Sequence, residues 1–333
     1  MTFGKEKFMK CWGVLALGFF LMLVLFHSGI SEGAENYPLK LITCIIPNEA
    51  GGDADTLARP LMQMISQKLG KPIMIVNKPG AGSSLGYREI LASKADGYTI
   101  GTATGSIVTN KIQGIMRNDF QDFTLIGTYA TYIPFLIAST KTQHPYTSIE
   151  EVISVAKAKP EEISLACGGV GLQWWIATMG MQQASGLRFN IIPQAGGGGF
   201  SVTQVAGGHT DLAVVALGAA SSQLAAGNVR LLAFFGPTRA GGKYGSIPTL
   251  KEVGINFTYQ STQVVLGPPK MPTGIVEKLA KTLEETATSP EYVQNVIDHY
   301  ATPFHLSPQK TFEFLTEQMV VYTEIMKRAG IVK

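Results

Sequence analysis

Metal ligands and disulfide partners are scarce in this 333-residue sequence, which has three cysteines and five histidines. The histidines are scattered, and none stands at the spacing of a metal-binding motif. Outside the N-terminal segment only Cys44 and Cys167 remain, each within an apolar, strand-like run. An oxidising compartment would permit a disulfide, but two buried free thiols are the favoured interpretation. We expect neither a metal ion nor a cofactor.

An excess of charge of one sign is also missing. Lysine and arginine together number 27, and aspartate and glutamate 24. Removal of residues 1–31 would take away three lysines and one glutamate and leave a nearly neutral chain. A neutral chain has no basic field for nucleic acid or for an anionic membrane. The sequence therefore excludes nucleic acid as a predicted partner.

Long apolar runs are limited to one, at the N-terminus. Lysines precede the uncharged run Cys11–Phe26, and small polar residues follow it. That order is typical of a secretory signal peptide, and a run of about 16 residues is short for a bilayer span. We predict that residues 1–31 are a cleaved signal peptide and that the mature protein is periplasmic. Cleavage after Ala34 and an uncleaved membrane anchor are the alternatives.

Beyond that segment, short β-rich runs alternate with helical periodicity, which is typical of an α/β protein with parallel sheets. The predicted strands are residues 41–47, 72–77, 98–104, 163–167, 190–193, 212–216 and 229–235, with a longer extended segment at 123–139. The predicted helices are residues 55–69, 85–93, 148–157, 174–185, 201–206 and 219–226, followed by a helical tail from Thr273.

These strands fall into two clusters, joined by an extended crossing near Ser139 and a return near residues 235–239. The arrangement predicts two lobes linked by chain that passes in both directions. Lobe 1 comprises residues 32–138 and 239–333, and lobe 2 comprises residues 139–238. About 300 mature residues suffice for two lobes with their own cores.

Glycine is concentrated at four junctions where a predicted strand gives way to a helix. The four junctions are Gly51–Gly52, Pro79–Ser84, Gly168–Gly171 and Gly196–Gly199. Backbone N–H groups at helix N-termini carry partial positive charge, which suits a carboxylate or a phosphate. Ligands of open α/β sheets bind at this edge, so two such edges facing each other predict an anion-binding cleft. At any single junction, glycine could serve the turn alone.

Catalytic motifs are weak in comparison. Gly82–Gly86 matches the G-x-S-x-G nucleophile elbow around Ser84, but that elbow needs its serine directly after the strand, and residues 78–81 intervene. The glycines in the same segment have the wrong spacing for a dinucleotide fingerprint. We therefore expect no enzyme, and an α/β hydrolase that uses Ser84 is a rival hypothesis.

An ordered set of short motifs runs through nearly the whole mature chain. In this set the chain resembles the periplasmic solute receptors of tripartite tricarboxylate transporters, the Bug-type receptors. The motifs are Tyr37-Pro38, Pro47, Gly51-Gly52, Ala58-Arg59, Asn77-x-Pro79-Gly80-Ala81-Gly82, Asp96-Gly97-Tyr98-Thr99, Gly169-Val170-Gly171, Ala195-Gly196-Gly197, Gly207-Gly208-x-x-Asp211, Pro248-Thr249-Leu250 and Pro268-Pro269-Lys270-Met271-Pro272.

The resemblance implies a two-lobed fold of the type II periplasmic binding-protein kind, in which each lobe is a mostly parallel sheet flanked by helices. It also implies capture of a small carboxylate, an amino acid or an aromatic acid, which is then delivered to the membrane subunits of a transporter. We expect a monomer. A receptor of the same fold that serves a sensor kinase is the alternative.

Carried over by position, the resemblance assigns ligand contacts to loops of both lobes. In lobe 1 these residues are Asn48, Glu49, Ala50, Gly51, Gly52 and Asp55 of the first loop, Ser83 and Ser84 of the second, and Thr104 and Ser106 after the third strand. In lobe 2 they are Gly169, Val170, Gly171, Gln194, Ala195 and Gly196. Asp55 could cap its helix instead of contacting the ligand.

The chain departs from the usual pattern of the family at several of these positions. Asn48 stands where phenylalanine is usual, and Gln194 stands where arginine or lysine is usual. Loss of a positive side chain argues against a highly charged tricarboxylate, because each buried carboxylate needs donors or a counter-charge. We therefore expect a mono- or dicarboxylate. Trp174 and Trp175 could form an aromatic wall, although a place in the helix core is the favoured interpretation.

Overall fold

The computed structural model describes residues 36–194 and 198–332. The predicted signal peptide lies outside the described residues, as do Ala195 and Gly196 of the predicted site. Within these two ranges, no helix has both the length and the apolar character needed to cross a bilayer. The segment Pro38–Lys333 forms a single unit, which contains both sheets.

Strands and helices alternate along the described chain, which holds eleven strands and ten α-helices. The strands are β1 (Ile42–Ile46), β2 (Ile73–Asn77), β3 (Thr99–Ala103), β4 (Thr124–Tyr132), β5 (Phe135–Ser139), β6 (Ser164–Cys167), β7 (Asn190–Pro193), β8 (Leu212–Val215), β9 (Val229–Phe234), β10 (Ser261–Gly267) and β11 (Thr302–Pro303). The helices are α1 (Asp53–Leu69), α2 (Ser84–Ala92), α3 (Ser106–Ile112), α4 (Ile149–Ala158), α5 (Gln173–Ser185), α6 (Gly198–Ala206), α7 (Leu217–Ala225), α8 (Thr273–Ala287), α9 (Pro290–Asp298) and α10 (Pro308–Arg328).

Two sheets organise these elements. The first has the strand order β11-β4-β10-β3-β1-β2, and the second has the order β7-β6-β8-β5-β9. In the first sheet β10 and β11 oppose the other four strands, and in the second only β5 opposes the rest. Four of the six strands in the first sheet and four of the five in the second therefore run in one direction, although both sheets are mixed, because the opposing strands β5 and β10 are inserted between strands of the other direction. The opposing strands β5 and β10 each follow a connection between the sheets.

The first of these connections lies earlier than the sequence predicts. The segment Ile133-Pro134 joins β4 of the first sheet to β5, which pairs with β8 and β9 of the second. The assignment of residues 135–138 to lobe 1 is therefore corrected, because these residues are hydrogen-bonded into the second sheet. One continuous extended pattern over residues 123–139 does not show where one strand ends and the next begins. The remaining lobe limits stay predictions.

Helix α1 places the first loop of the predicted site. Gly52 is its N-cap, and Asp53 and Asp55 lie in its first turn, where negative charge meets the positive end of the helix. At the other end Gly70 adopts the left-handed conformation, with φ of 66°, as is common after the last helical residue. The loop before α1 is therefore held between a strand and a well-terminated helix.

Each sheet has its own core. Beside the first sheet, Tyr129 and Tyr292 are fully buried, and the Tyr292 hydroxyl donates to the Leu57 carbonyl at 3.1 Å. Cys44 and Cys167 are free and buried, as the sequence favoured, and burial raises the pKa of each thiol to about 12. Both thiols therefore stay protonated at neutral pH. The second-sheet core includes Phe135, Ile137, Val202, Val205, Val215, Leu217 and Phe234.

Candidate ligand-binding site

A cavity of about 350 Å³ opens at the carboxyl ends of parallel strands from both sheets, and a space of this size suits one small solute. The first-sheet wall comprises Pro47, Asn48, Glu49, Gly52, Asp53, Ala54, Pro79, Gly80, Gly82, Ser83, Thr104, Ser106 and Gln263. The second-sheet wall comprises Gly168, Leu172, Gln173, Trp174 and Gly198.

The first loop is held in place by a buried carboxylate. Asp55 is 2% exposed, and its Oδ2 accepts the Gly51 N–H at 2.9 Å and the Arg59 Nε–H at 2.7 Å. Its Oδ1 accepts from Asn77 Nδ2 at 2.8 Å, and the same amide group donates to the Asn48 carbonyl at 3.0 Å. Burial alone would raise the pKa of Asp55, but these hydrogen bonds and the Arg59 charge hold it below its usual value. Asp55 positions the loop and does not line the cavity.

The second loop is pinned in a strained conformation. Ala81 and Ser83 have φ of 45° and 75°, in the left-handed region that non-glycine residues rarely adopt. Asn110 Nδ2 donates to the Gly82 carbonyl at 2.8 Å, and the Ser84 N–H donates to the Ala81 carbonyl at 3.2 Å. Strain of this kind persists where surrounding contacts enforce it, often at ligand sites. As a result Ser83 lines the cavity, whereas the neighbouring Ser84 does not and is buried in the protein.

A chain of hydroxyl groups follows β3. The Tyr87 hydroxyl accepts the Thr104 N–H at 3.2 Å and lies 2.8 Å from Ser106 Oγ, which in turn lies 3.0 Å from Thr104 Oγ1. Burial raises the pKa of Tyr87, so its hydroxyl keeps its proton at neutral pH. In each of the two hydroxyl pairs either oxygen can be the donor. Since Thr104 and Ser106 line the cavity, the network places two hydroxyl groups there that can donate to or accept from a bound solute.

The second-sheet wall is built from the starts of two helices. Leu172 is the N-cap of α5 and makes no side-chain cap, and neither α5 nor α6 has an acidic residue in its first turn. The first N–H groups of α5 therefore have no capping side chain among the described residues. The first N–H groups of both helices carry partial positive charge. Trp174 is 2% exposed yet reaches the cavity, so it is both helix core and an aromatic part of the wall.

The first-sheet wall is acidic, in contrast to the partial positive charge of the second-sheet wall. Glu49 and Asp53 line the cavity, and no lysine, arginine or histidine does so among the described lining residues. Asp53 makes no ion pair within the described chain, and burial raises the pKa of its carboxyl. Gln263 is 1% exposed, and its Oε1 has no hydrogen-bond partner among the described residues. Gln263 thus belongs to the cavity lining and holds a buried acceptor without a described donor.

The predicted site residues divide into three groups. Those that line the cavity are Asn48, Glu49, Gly52, Ser83, Thr104 and Ser106. Those that do not line it are Ala50, Gly51, Asp55, Ser84, Gly169, Val170, Gly171 and Gln194. Ala195 and Gly196 lie outside the described residues. Ligand contact by any of them stays a prediction.

The lobe 2 turn shows why several predicted residues miss the cavity. Gly168, directly after β6, lines the wall, whereas Val170 is 44% exposed and Gly171 faces another residue. The Gly171 carbonyl lies 3.5 Å from Nε2 of Gln113, the residue after α3. A Cβ on Gly171 would lie only 2.3 Å from Gln113 Cδ. The far end of this turn, at Gly171, therefore contacts Gln113 rather than the cavity.

Three polar lining residues are not predicted from the sequence: Asp53, Gln173 and Gln263. Trp174, for which an aromatic wall is the alternative, and Gly198, within the fourth glycine junction, also line the cavity. Gln263 lines the cavity because β10 runs antiparallel to β3, which brings the start of β10 to the carboxyl edge of the sheet. The signal in the sequence is a pair of polar residues, Thr262 and Gln263, at the head of an apolar run.

Metal and nucleophile arrangements are not found in the described part of the chain. No group of three or more His, Cys, Asp or Glu side chains there could hold a metal ion. Ser84 is 1% exposed, and its Oγ has no hydrogen-bond partner among the described residues. His299 and His305 use their Nδ1 atoms on backbone carbonyls, so neither activates this serine through Nδ1.

Two α/β sheets connected by crossing chain, with a cavity at their strand ends, define a two-lobed solute-binding protein. The family of tripartite tricarboxylate transporter receptors matches residues 57–331 of the chain. The chain belongs to this family of periplasmic solute receptors.

Individual relatives agree with that assignment. BugT of Bordetella pertussis is 27% identical over 305 residues, which cover 89% of this chain and 91% of BugT. A protein of R. palustris solved with adipate is 25% identical with a TM-score of 0.77, covering 88% of this chain and 98% of that one. MatC of Rhodopseudomonas palustris, solved with malate, is 20% identical with a TM-score of 0.73, covering 87% and 99%. The last similarity supports the fold.

Proposed function

We propose that the mature protein binds a small organic carboxylate in the cavity and delivers it to the membrane subunits of a tripartite tricarboxylate-type transporter. The observation that carries this proposal is the second-sheet wall, where α5 begins without a capping side chain or an acidic first turn. Free N–H groups at a helix start bind carboxylate oxygen atoms. The Thr104 hydroxyl offers a further donor from the first sheet.

The number of carboxylates on the ligand is limited by the charge of the cavity. The described lining has no cationic side chain, so each added carboxylate must be held by uncharged donors alone. A ligand with one or two carboxylates fits this supply better than a tricarboxylate. The R. palustris relative solved with adipate supports a ligand of this class.

The remaining parts of the proposal concern where and how the receptor works. Residues 1–31 direct export and are removed, and the mature receptor acts in the periplasm as a monomer without catalysis or a nucleic-acid partner. Closure of the two lobes about the chain that joins them excludes water and presents a new surface to the transporter. The buried, unpartnered hydroxyl of Ser84 supports binding over hydrolysis.

Thermal unfolding across a ligand panel tests the proposal. The mature protein is heated with straight-chain mono-, di- and tricarboxylates, ω-amino acids, betaines and uncharged amides of the same lengths. A ligand at 100 times its Kd stabilises the folded state by about 2.7 kcal/mol, so carboxylate-bearing members raise Tm and their amides do not. Equal melting temperatures across the whole panel would contradict carboxylate binding.

A further inference from the structure

We infer that the solute carries a primary ammonium group beside its carboxylate, and that Asp53 and Glu49 bind this group. The inference rests on the proposed function, because it assumes that the cavity is the ligand site. It narrows the ligand from organic acids in general to zwitterions.

The formal charge of the lining is negative. Glu49 and Asp53 are the charged groups among the described lining residues, and both are acidic. A dicarboxylate would bring two more negative charges into the same space, where like charges repel more strongly than in water. A group of positive charge at this wall removes the conflict.

The helix dipole of α1 accounts for an acidic residue at position 53, but it does not account for the other acceptors of the first-sheet wall. An acidic residue in the first turn of α1 interacts favourably with the helix dipole, and this alone would account for Asp53. Asp53 receives no side-chain counter-charge from the described chain, since Arg59 pairs with Asp55 instead. The Asp53 carbonyl, by contrast, accepts from Tyr132 Oη at 3.1 Å and from Thr56 Oγ1 at 3.0 Å.

Gln263 supplies an independent observation at the same cavity. The residue is 1% exposed, and its Nε2 donates to the Ser261 carbonyl at 3.4 Å, which leaves Oε1 as the free atom. Asn48 repeats the pattern, because Nδ2 donates to Ser83 Oγ at 3.4 Å and Oδ1 has no partner among the described residues. Buried acceptors without donors are costly, and an ammonium group brings up to three N–H donors.

The carboxylate of a zwitterion would bind at the second-sheet wall. The first turns of α5 and α6 contain no acidic residue. No described side chain caps α5, so the first N–H groups of α5 remain open to a carboxylate. A ligand with one charge of each sign therefore meets a complementary group at both ends.

Calorimetric titration with paired ligands tests the inference. The mature protein is titrated with adipate and 6-aminohexanoate, with glutarate and 5-aminopentanoate, and with short α-amino acids; glycine betaine, which has a positive nitrogen without an N–H donor, is the control for charge alone. Wild-type protein is expected to bind the best ammonium carboxylate at least about tenfold more tightly than the best dicarboxylate. Tighter binding of the dicarboxylates overturns the inference and leaves carboxylate binding intact, whereas no binding of any acid overturns both.

Variants assign the contact to the named side chains. Asp53→Asn is expected to weaken ammonium-carboxylate binding at least about tenfold without weakening dicarboxylate binding, and Glu49→Gln, in an exposed loop, is expected to act in the same direction. Glu277→Gln, an exposed residue of α8 far along the chain from the cavity, is the charge-matched control. If Asp53→Asn and Glu49→Gln both keep wild-type affinity for the ammonium ligand, the inference fails. Should Asp53→Asn not fold, Glu49→Gln decides alone.

Discussion

The two walls of the cavity are built from similar strand-to-helix junctions but offer opposite groups. At the first-sheet wall, α1 begins with Asp53 and follows a loop that carries Glu49, whereas α5 and α6 of the second-sheet wall begin without acidic residues. The same backbone geometry can therefore serve as an anion site or be neutralised by the chain's own carboxylate. One side chain at the first helical turn decides which.

The largest expected effect is a difference in melting temperature between variants of two aspartates on α1. Asp55 is fully bonded and holds the loop, whereas Asp53 lines the cavity. Asp55→Ala leaves Arg59, Asn77 and the Gly51 N–H without their acceptor, which is expected to cost about 2–3 kcal/mol of unfolding free energy and to lower Tm by about 5 °C. Thermal unfolding of Asp55→Ala beside Asp53→Asn measures the difference. Equal melting temperatures for the two variants would contradict the assigned roles.

The second-largest expected effect is a pH dependence of ligand affinity that differs between the two walls. Burial raises the pKa of Asp53, so as pH falls its carboxyl takes up a proton at a higher pH than an ordinary aspartate. Affinity for an ammonium carboxylate should therefore be full above that pKa and fall as pH drops through it, by up to about tenfold. Dicarboxylate affinity should change in the opposite sense. Titrations at successive pH values measure both trends, and Asp53→Asn should flatten them; unchanged trends in that variant would contradict the assignment.

A smaller effect is expected at the hydroxyl network. Thr104→Val keeps the shape of the side chain and removes a hydroxyl that the network places at the cavity. One neutral hydrogen bond contributes about 1 kcal/mol, so ligand affinity is expected to fall about fivefold. The buried Ser106 hydroxyl and N–H also lose a partner, so Tm is expected to fall by about 2 °C. Calorimetric titration measures the affinity. Wild-type affinity in Thr104→Val would show that this hydroxyl does not reach the ligand.

The smallest effect is expected at Ser84. Its hydroxyl is buried without a partner in the described chain, so Ser84→Ala removes an unsatisfied group and is expected to keep Tm within about 1 °C of wild type or raise it slightly. Ligand affinity should not change. Loss of affinity, or loss of a measured esterase activity, would revive the hydrolase hypothesis.

Sequence patterns predict the regular α/β elements well because their signals are local. The run Leu41–Pro47 and the stripe that becomes α1 each predict their own structure, and the glycine junctions correctly indicate the edge where the cavity opens. Helix α3 is not predicted because Ser106–Ile112 is too short for a periodic pattern. Strand β10 is not predicted because its polar start, Ser261–Gln263, hides a strand that is buried along its whole length.

The walls themselves are harder to predict than the sheets. The glycine pattern predicts N–H donors at every junction, but it does not show that Asp53 lies in the cavity while Asp55, two residues later, turns to Arg59 and Asn77. That division depends on which face of α1 meets the loop. The position of Gln263 in the cavity lining depends on the antiparallel insertion of β10 beside β3. This pairing joins residues far apart in the sequence, and local patterns do not encode it.

A crystal structure of the mature protein with its tightest ammonium carboxylate tests the division of the cavity most directly. We predict the ligand nitrogen within hydrogen-bond distance of the Asp53 carboxylate and a ligand carboxylate oxygen on the first N–H groups of α5. A ligand bound in the reverse orientation, or one whose nitrogen lies away from both Asp53 and Glu49, would contradict this division.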